Sequence, residues 1–255
     1  MLGQRPDRTQ PLLGIWQSLP LPAISRYLAR TGWPAVILDM QHGAMSFETA
    51  YECVHVLRDA GCQPMVRVSV GVPHEVQRAL DIGAAAVVVP MVNSLAEAQA
   101  VAAAAKYPPL GERSFGSDMA VHVGDDYAER ANHQTWLLVQ IEHAAGLADV
   151  EAIMAVEGVD GCFVGPTDLA LSMGLSRHDY AEQAQHQSAM ARIVAACQRA
   201  NKIAGCNTYG LADAQAKLAD GFDFITLRSE VELFLAASND LRTRFQRLVA
   251  ERPRS

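Results

Sequence analysis

The sequence predicts a closed (β/α)₈ TIM barrel, and three observations carry that prediction. Short β-type runs alternate with helical patterns eight times along 255 residues, the count and length that such a barrel requires. The runs are apolar throughout rather than alternating, which suits parallel strands covered on both faces. No G-x-G-x-x-G follows the first run, and this counts against an open doubly wound sheet.

The first strand is expected at Leu12–Trp16, after a lead-in over residues 1–11. The second, Ala35–Leu38, precedes a helix begun by Ser46, with Phe47, Tyr51, Val54 and Leu57 at helical spacing and Gly61 past its end. After the third strand, Pro64–Val68, Pro73 opens a helix that runs to Asp81 and stops at Gly83. The fourth, Ala85–Val89, leads into the strong helix former Ala96–Ala105. Residues 108–135 are too long for an ordinary βα connection and are expected to be an elaborated active-site loop. Strands at Trp136–Ile141, Gly161–Val164, Ile203–Cys206 and Phe222–Leu227 follow, then a last amphipathic segment, Val231–Val249, and a tail over 249–255. No repeat or linker interrupts the chain, so residues 1–255 are read as one domain.

Composition narrows the function. Half the residues are hydrophobic, 19% are charged and the formal net charge is −7. That supports a large aliphatic core and argues against a nucleic-acid surface. Apolar runs fall short of the 18 or more residues of a membrane helix, and the first residues lack the h-region of a signal peptide. Five cysteines with no Cys-x-x-Cys pair signal neither disulfides nor structural zinc. A cytoplasmic protein is expected.

In a barrel, chemistry gathers at the C-terminal ends of the strands. There the sequence places Asp39 and His42, Arg67, Gln140 and Glu142, and the turn Gly165-Pro166-Thr167-Asp168. Glu142 and Asp168 suit a hard divalent cation such as Mg²⁺ or Mn²⁺. Arg67 offers fixed positive charge to a carboxylate or developing enolate oxygen, His42 suits a base, and the Gly165–Asp168 turn could point N–H groups at an anionic substrate. Plainer roles stand beside these. Asp168 could be a helix N-cap, Arg67 and Glu142 could pair across the mouth, and His42 could be an ordinary loop histidine. His143 is placed beside the site, and His55, His74, His178 and His186 on helices or their ends. Of the three lysines, Lys106 and Lys217 fall on predicted helices and Lys202 precedes a strand at the opposite end. None is placed for a Schiff base, so carbonyl chemistry here should depend on a metal.

These residues lie in segments that resemble the HpcH/HpaI aldolases, metal-dependent class II pyruvate aldolases. The resemblance runs from about Leu13 to Leu235 through Leu38-Asp39-x-x-His42, Val66-Arg67, Leu80-Asp81-Ile82-Gly83-Ala84, Val88-Val89-Pro90-Met91-Val92, Tyr107-Pro108-Pro109-x-Gly111-x-Arg113, Val139-Gln140-Ile141-Glu142, Val156-Glu157-Gly158-Val159-Asp160-Gly161 and Phe163-Val164-Gly165-Pro166-x-Asp168-Leu169. It implies that Glu142 and Asp168 hold a divalent metal (Mg²⁺ or Mn²⁺, with Co²⁺ a further candidate). It makes Arg67 the residue that steadies the enolate, His42 the proton acceptor, and Asp81 the carboxylate that raises its basicity, reaching it from a neighbouring subunit. Asp39 joins the catalytic set; Gln140 and Gly165, Pro166, Thr167 and Asp168 contact pyruvate. Homotrimers or homohexamers that exchange the last helix are implied too.

The implied reaction joins a small 2-oxo acid, pyruvate or hydroxypyruvate, to an aldehyde, or cleaves the product. Two departures stand out. Gln41 replaces a common glutamate, and Asp118, Val121, His122 and Val123 stand where dicarboxylate-handling aldolases offer arginines, so a short or uncharged aldehyde, such as a hydroxyaldehyde, is expected over an acidic semialdehyde. The rivals are oxaloacetate decarboxylation, a CoA-ester lyase of the citrate lyase β type, a phosphate-binding isomerase barrel and a catalytically silent scaffold.

Overall fold

In a computed structural model that describes Pro6 and residues 9–116 and 124–252, eight parallel strands close into one barrel in sequence order. They are β1 (Leu12–Gln17), β2 (Ala35–Asp39), β3 (Gln63–Arg67), β4 (Ala86–Val89), β5 (Trp136–Ile141), β6 (Gly161–Val164), β7 (Ile203–Thr208) and β8 (Phe224–Ser229). The helices are α1 (Pro22–Arg30), α2 (Phe47–Asp59), α3 (Pro73–Asp81), α4 (Leu95–Ala105), α5 (Tyr127–Gln134), α6 (Ala144–Ala148), α7 (Val150–Ala155), α8 (Pro166–Ser172), α9 (Ala184–Arg199), α10 (Leu211–Ala219) and α11 (Glu230–Ala250). Local sequence accounts for their starts. The Ser46 hydroxyl accepts the Thr49 backbone N–H at 3.2 Å, and Pro73 opens α3 where its missing N–H costs nothing.

The strand period of two divides the core. Ala35, Ile37, Met65, Ala86, Val88, Trp136, Leu138, Phe163, Ile203 and Phe224 fill the lumen. Their neighbours, including Val36, Leu38, Val66, Val139 and Val164, pack outward with the helices. Both strand faces are therefore buried, as the unbroken apolar runs require. One pleat above the lumen's apolar layers, on the same parity, stand Asp39, Arg67, Gln140, Asn207 and Thr226. The fold thereby aims these polar side chains into the C-terminal mouth.

The described parts of residues 108–135 do not form a loop at the mouth of their own barrel. They follow α4 and precede β5, so the described parts close the opposite, N-terminal end of the barrel. There Lys106, which ends α4 rather than lying within it, is 1% exposed. Its ammonium donates to Asp160 at 2.8 Å and to the carbonyls of Thr135 and Asn132 at 2.9 and 3.1 Å. Residues 117–123, with Asp118, Val121, His122 and Val123, lie outside the described residues.

The last helix leaves the barrel. Glu230, at its start, accepts the Ser18 and Leu19 backbone N–H groups at 2.7 and 2.6 Å, and Ser229 and Glu232 form a capping box. Beyond that anchor Phe234, Leu235, Leu241, Phe245 and Leu248 are all exposed. Among the described residues no helix is long and apolar enough to cross a membrane.

Candidate active site

At the mouth, Arg67 and Asp39 are Cα partners across β2 and β3, and register makes them a pair. Arg67 donates from Nε to Asp39 Oδ1 at 2.9 Å and from Nη2 to Oδ2 at 2.7 Å, the two-pronged geometry that fits a guanidinium to a carboxylate. Pairing of Arg67 with Glu142, the plainer expectation, is not what forms. Burial works to raise the Asp39 carboxyl, but the Arg67 hydrogen bonds and charge, with two backbone N–H groups, outweigh it and hold the group below its ordinary range. Those two N–H groups belong to Gln41 and His42, at 3.0 and 3.1 Å from Oδ1. Asp39 thus orients the arginine and ties down the turn carrying His42. Gly43 completes that turn, since a Cβ there would lie 2.4 Å from the Asp39 carbonyl oxygen and 2.8 Å from that of Ser18. His42 itself is exposed, at the end of β2 where the mouth lies.

Across the lumen, Glu142 is 3% exposed. Its Oε1 accepts the Met91 backbone N–H at 2.9 Å and its Oε2 accepts Gln140 Nε2 at 2.8 Å. Met91 reaches it from a left-handed conformation, φ 55°. Gly165 makes room, because a Cβ there would meet Glu142 Oε2 at 2.6 Å. Burial pushes the Glu142 carboxyl above its ordinary value; Asp168's charge adds to this, opposed by the Met91 N–H and by Arg67. Gln140 Oε1 is buried with no partner. Two neighbouring carboxylates, spare lone pairs on Glu142 and an orphaned amide oxygen make a donor set that fits a hard divalent cation. Among the described residues no three His, Cys, Asp or Glu side chains converge, so water and substrate oxygens would supply the remaining positions.

This layout can bind an oxygen chelate on the β5–β6 side and set positive charge against it from β3. A model of the HpcH/HpaI aldolase/citrate lyase family matches residues 12–237. The chain belongs to that family. It is 36% identical over 235 residues to the hydroxypyruvate/pyruvate aldolase of Rhizorhabdus wittichii, covering 91% of this chain and 93% of that one. It is 32% identical over 252 residues to the 2-keto-3-deoxy-L-rhamnonate aldolase of Salmonella paratyphi A, covering 96% and 91%. A crystal structure of an HpcH/HpaI aldolase/citrate lyase family protein from Burkholderia cenocepacia superposes with a TM-score of 0.85 at 31% identity, over 92% of this chain and 95% of that one.

Other members of the expected set fall elsewhere in this HpcH/HpaI barrel. Asp168 is not an N-cap, for Gly165 holds that position and Asp168 sits exposed in the first turn of α8. The Thr167 hydroxyl is engaged by the Tyr209 and Tyr180 hydroxyls at 2.6 and 3.2 Å. Those tyrosines, with Arg177 and His178, line an open depression of about 640 Å³ beside Asp168. His143 caps α6, its Nδ1 accepting the Ala145 N–H at 3.1 Å. His186, buried and lowered in pKa mainly by that burial, places Nε2 3.1 Å from the Pro166 carbonyl beneath α8.

Asp81 and His42 are at opposite ends of one barrel. Asp81 ends α3, a helix of nine residues and about 13 Å that carries the chain from the mouth back to the N-terminal end. There it accepts Arg113 Nη2 at 2.7 Å, and Arg113 also donates to the Tyr127 hydroxyl at 3.1 Å and lies over the Tyr107 ring. A single chain therefore does not bring Asp81 to His42.

Sequence reasoning passed over Trp16, Asn207 and Thr226. Trp16 Nε1 donates to Thr226 Oγ1 and Asn207 Oδ1 at 3.0 and 3.1 Å, and the Arg67 guanidinium lies 4.5 Å above its ring. Lumen parity would have found them, but a search for charged strand ends did not.

Proposed function

We propose that this protein is a divalent-metal-dependent aldolase, a carbon–carbon lyase that joins pyruvate or hydroxypyruvate to an aldehyde and cleaves the resulting 4-hydroxy-2-oxo acid. The observation that carries this reading is the opposition, across one mouth, of the Glu142–Asp168 carboxylates and the Arg67 guanidinium fixed by Asp39. The names of the two aldolase relatives supply the nucleophile class. Glu142 and Asp168 would hold Mg²⁺ or Mn²⁺, with Co²⁺ also suited, and the bound cation would supply Lewis-acid withdrawal from the substrate's keto group.

The remaining roles belong to the chain's own residues. Gln140 and the backbone N–H groups of Gly165, Thr167 and Asp168, in the turn that Pro166 shapes, hold the 2-oxo acid carboxylate. His42 takes a proton from C3, directly or through a water, while the Arg67 Nη1 hydrogens, unused in the Asp39 pair, face the oxygen that gains charge. The C3 carbon then bonds to the aldehyde carbon, whose oxygen takes the returning proton; cleavage reverses these steps. The deciding experiment is proton–deuterium exchange at the pyruvate methyl, followed by NMR. Rapid exchange with added Mg²⁺ or Mn²⁺, abolished by EDTA, is expected. Absence of exchange in folded, metal-supplemented protein would overturn the reading.

A homotrimer or homohexamer is part of the proposal. Two features support it: Asp81 needs a second copy to approach a His42, and the apolar side of α11 projects from its own barrel. Phe234→Glu with Phe245→Glu is expected to reduce the mass measured by light scattering to that of smaller species and to depress exchange with it. A monomeric wild-type protein with full activity would sink this part. Five buried free cysteines suit the cytoplasm.

A further inference from the structure

The 2-oxo acid side of the mouth lies on β3, β5 and β6, which leaves the arc from β7 through β8 to β1 for the second substrate. Three side chains line that arc, and hydrogen bonding fixes one of them in an informative orientation. Asn207 and Thr226 are Cα partners across β7 and β8. Trp16 reaches them from β1, where the register against β8 slips between Gly14 and Trp16. The indole Nε1 can only donate. It faces Asn207 Oδ1 at 3.1 Å, and the Thr226 hydroxyl, itself accepting from the indole at 3.0 Å, donates to the same oxygen at 2.9 Å. A turned amide would set N–H against N–H, so the orientation is determined by chemistry rather than by an arbitrary choice of O and N.

The consequence is a fixed donor. With Oδ1 occupied twice, Nδ2 faces away from the network and has no protein partner among the described residues. Asn207 is half-buried, so its amide reaches the mouth without being sealed beneath it. Arg67 lies over the face of the same indole whose edge holds Asn207. The nucleophile's charge clamp and the Asn207 donor thus flank one rigid ring, itself backed edge-on by Phe163 at 5.6 Å.

We infer that Asn207 selects the aldehyde, its Nδ2 donating to a hydroxyl oxygen of a hydroxyaldehyde acceptor. A neutral amide donor rewards a hydroxyl over a methyl group and, unlike an arginine, gives an acidic semialdehyde no charge to pair with. The inference rests on the aldolase reading and names the substrate class of its second half-site.

Glycolaldehyde and propanal test it, since they differ by a hydroxyl in place of a methyl. The readout is the ratio of their kcat/KM values with pyruvate and added Mn²⁺; comparing that ratio between wild type and variant cancels the different hydration of the two aldehydes. Asn207→Leu is expected to lower the glycolaldehyde preference about tenfold, the scale of one hydrogen bond, while pyruvate methyl exchange stays at the wild-type rate. Asn207→Ala removes the donor without added bulk and is measured beside it, so a folding failure of the leucine variant leaves the test in place. An unchanged ratio with exchange intact would overturn the inference. So would loss of exchange in a folded variant, because Asn207 would then serve the nucleophile. Wild-type protein without exchange fails the aldolase reading itself, and the inference with it.

Discussion

Glu142→Gln is expected to reduce metal-dependent exchange of the pyruvate methyl by about three orders of magnitude or more, with no loss of thermal stability. The activity loss follows from removing one of two anionic ligands from the proposed cation site, where Lewis-acid stabilisation is worth several kcal/mol, and about 4 kcal/mol is a factor of roughly 10³. The stability follows from the local geometry. An amide at position 142 still accepts the Met91 N–H through its oxygen. Its new N–H₂ faces Gln140, whose amide can turn to present Oε1, the atom that is buried and unpartnered in the native arrangement. The variant also removes a charge that burial and Asp168 both disfavour, so its melting temperature should equal or exceed that of the wild type. Calorimetric titration with Mn²⁺ should show weakened binding in parallel. Exchange within tenfold of the wild type would mean that Glu142 does not hold the cation.

What could be read from the sequence was whatever depended on local pattern and strand position. Trp136–Ile141 and Gly161–Val164 have the bounds their runs mark, because a strand buried on both faces is apolar over nearly all its length. Asp39 and Glu142 are legible for the same reason, as the first polar residues after such runs, whereas Arg67 and Gln140 are the polar residues inside the last two positions of theirs. Partner choice was not legible in that way. Arg67 takes Asp39 rather than Glu142 because the β2–β3 register sets the first pair side by side, whereas Glu142 follows β5, two strands further round. Residues 108–135 announced their length but not their end of the barrel. That depends on their following a helix rather than a strand. The same topology carries Asp81 away from His42. The Trp16–Asn207–Thr226 network escaped notice because its members are neutral and its bonds span up to 210 residues of sequence.

Arg67→Ala is expected to lower kcat/KM for aldol cleavage by about 10²–10³, the loss of about 2.7–4 kcal/mol that follows removal of one preorganised contact to a developing oxyanion. Arg67→Lys should recover little. A lysine ammonium cannot reproduce the Nε and Nη2 fork on Asp39 or stack as a plane on Trp16, and both features aim Nη1. The alanine variant carries a second cost that must be separated from the first. It leaves Asp39, only 4% exposed, without its cation, and breaking a buried pair in this way costs about 3–5 kcal/mol of stability. With Arg67 gone, the burial that it now outweighs would push the Asp39 carboxyl upward, and the unpaired charge would loosen the turn that carries His42. The double variant Arg67→Ala, Asp39→Asn resolves the two effects. The asparagine oxygen can still accept from the Gln41 and His42 N–H groups, so stability should return most of the way while catalysis does not. Recovery of turnover to within threefold of wild type in that double variant would show that the charge is held elsewhere, and that the arginine serves only to neutralise the aspartate beneath it.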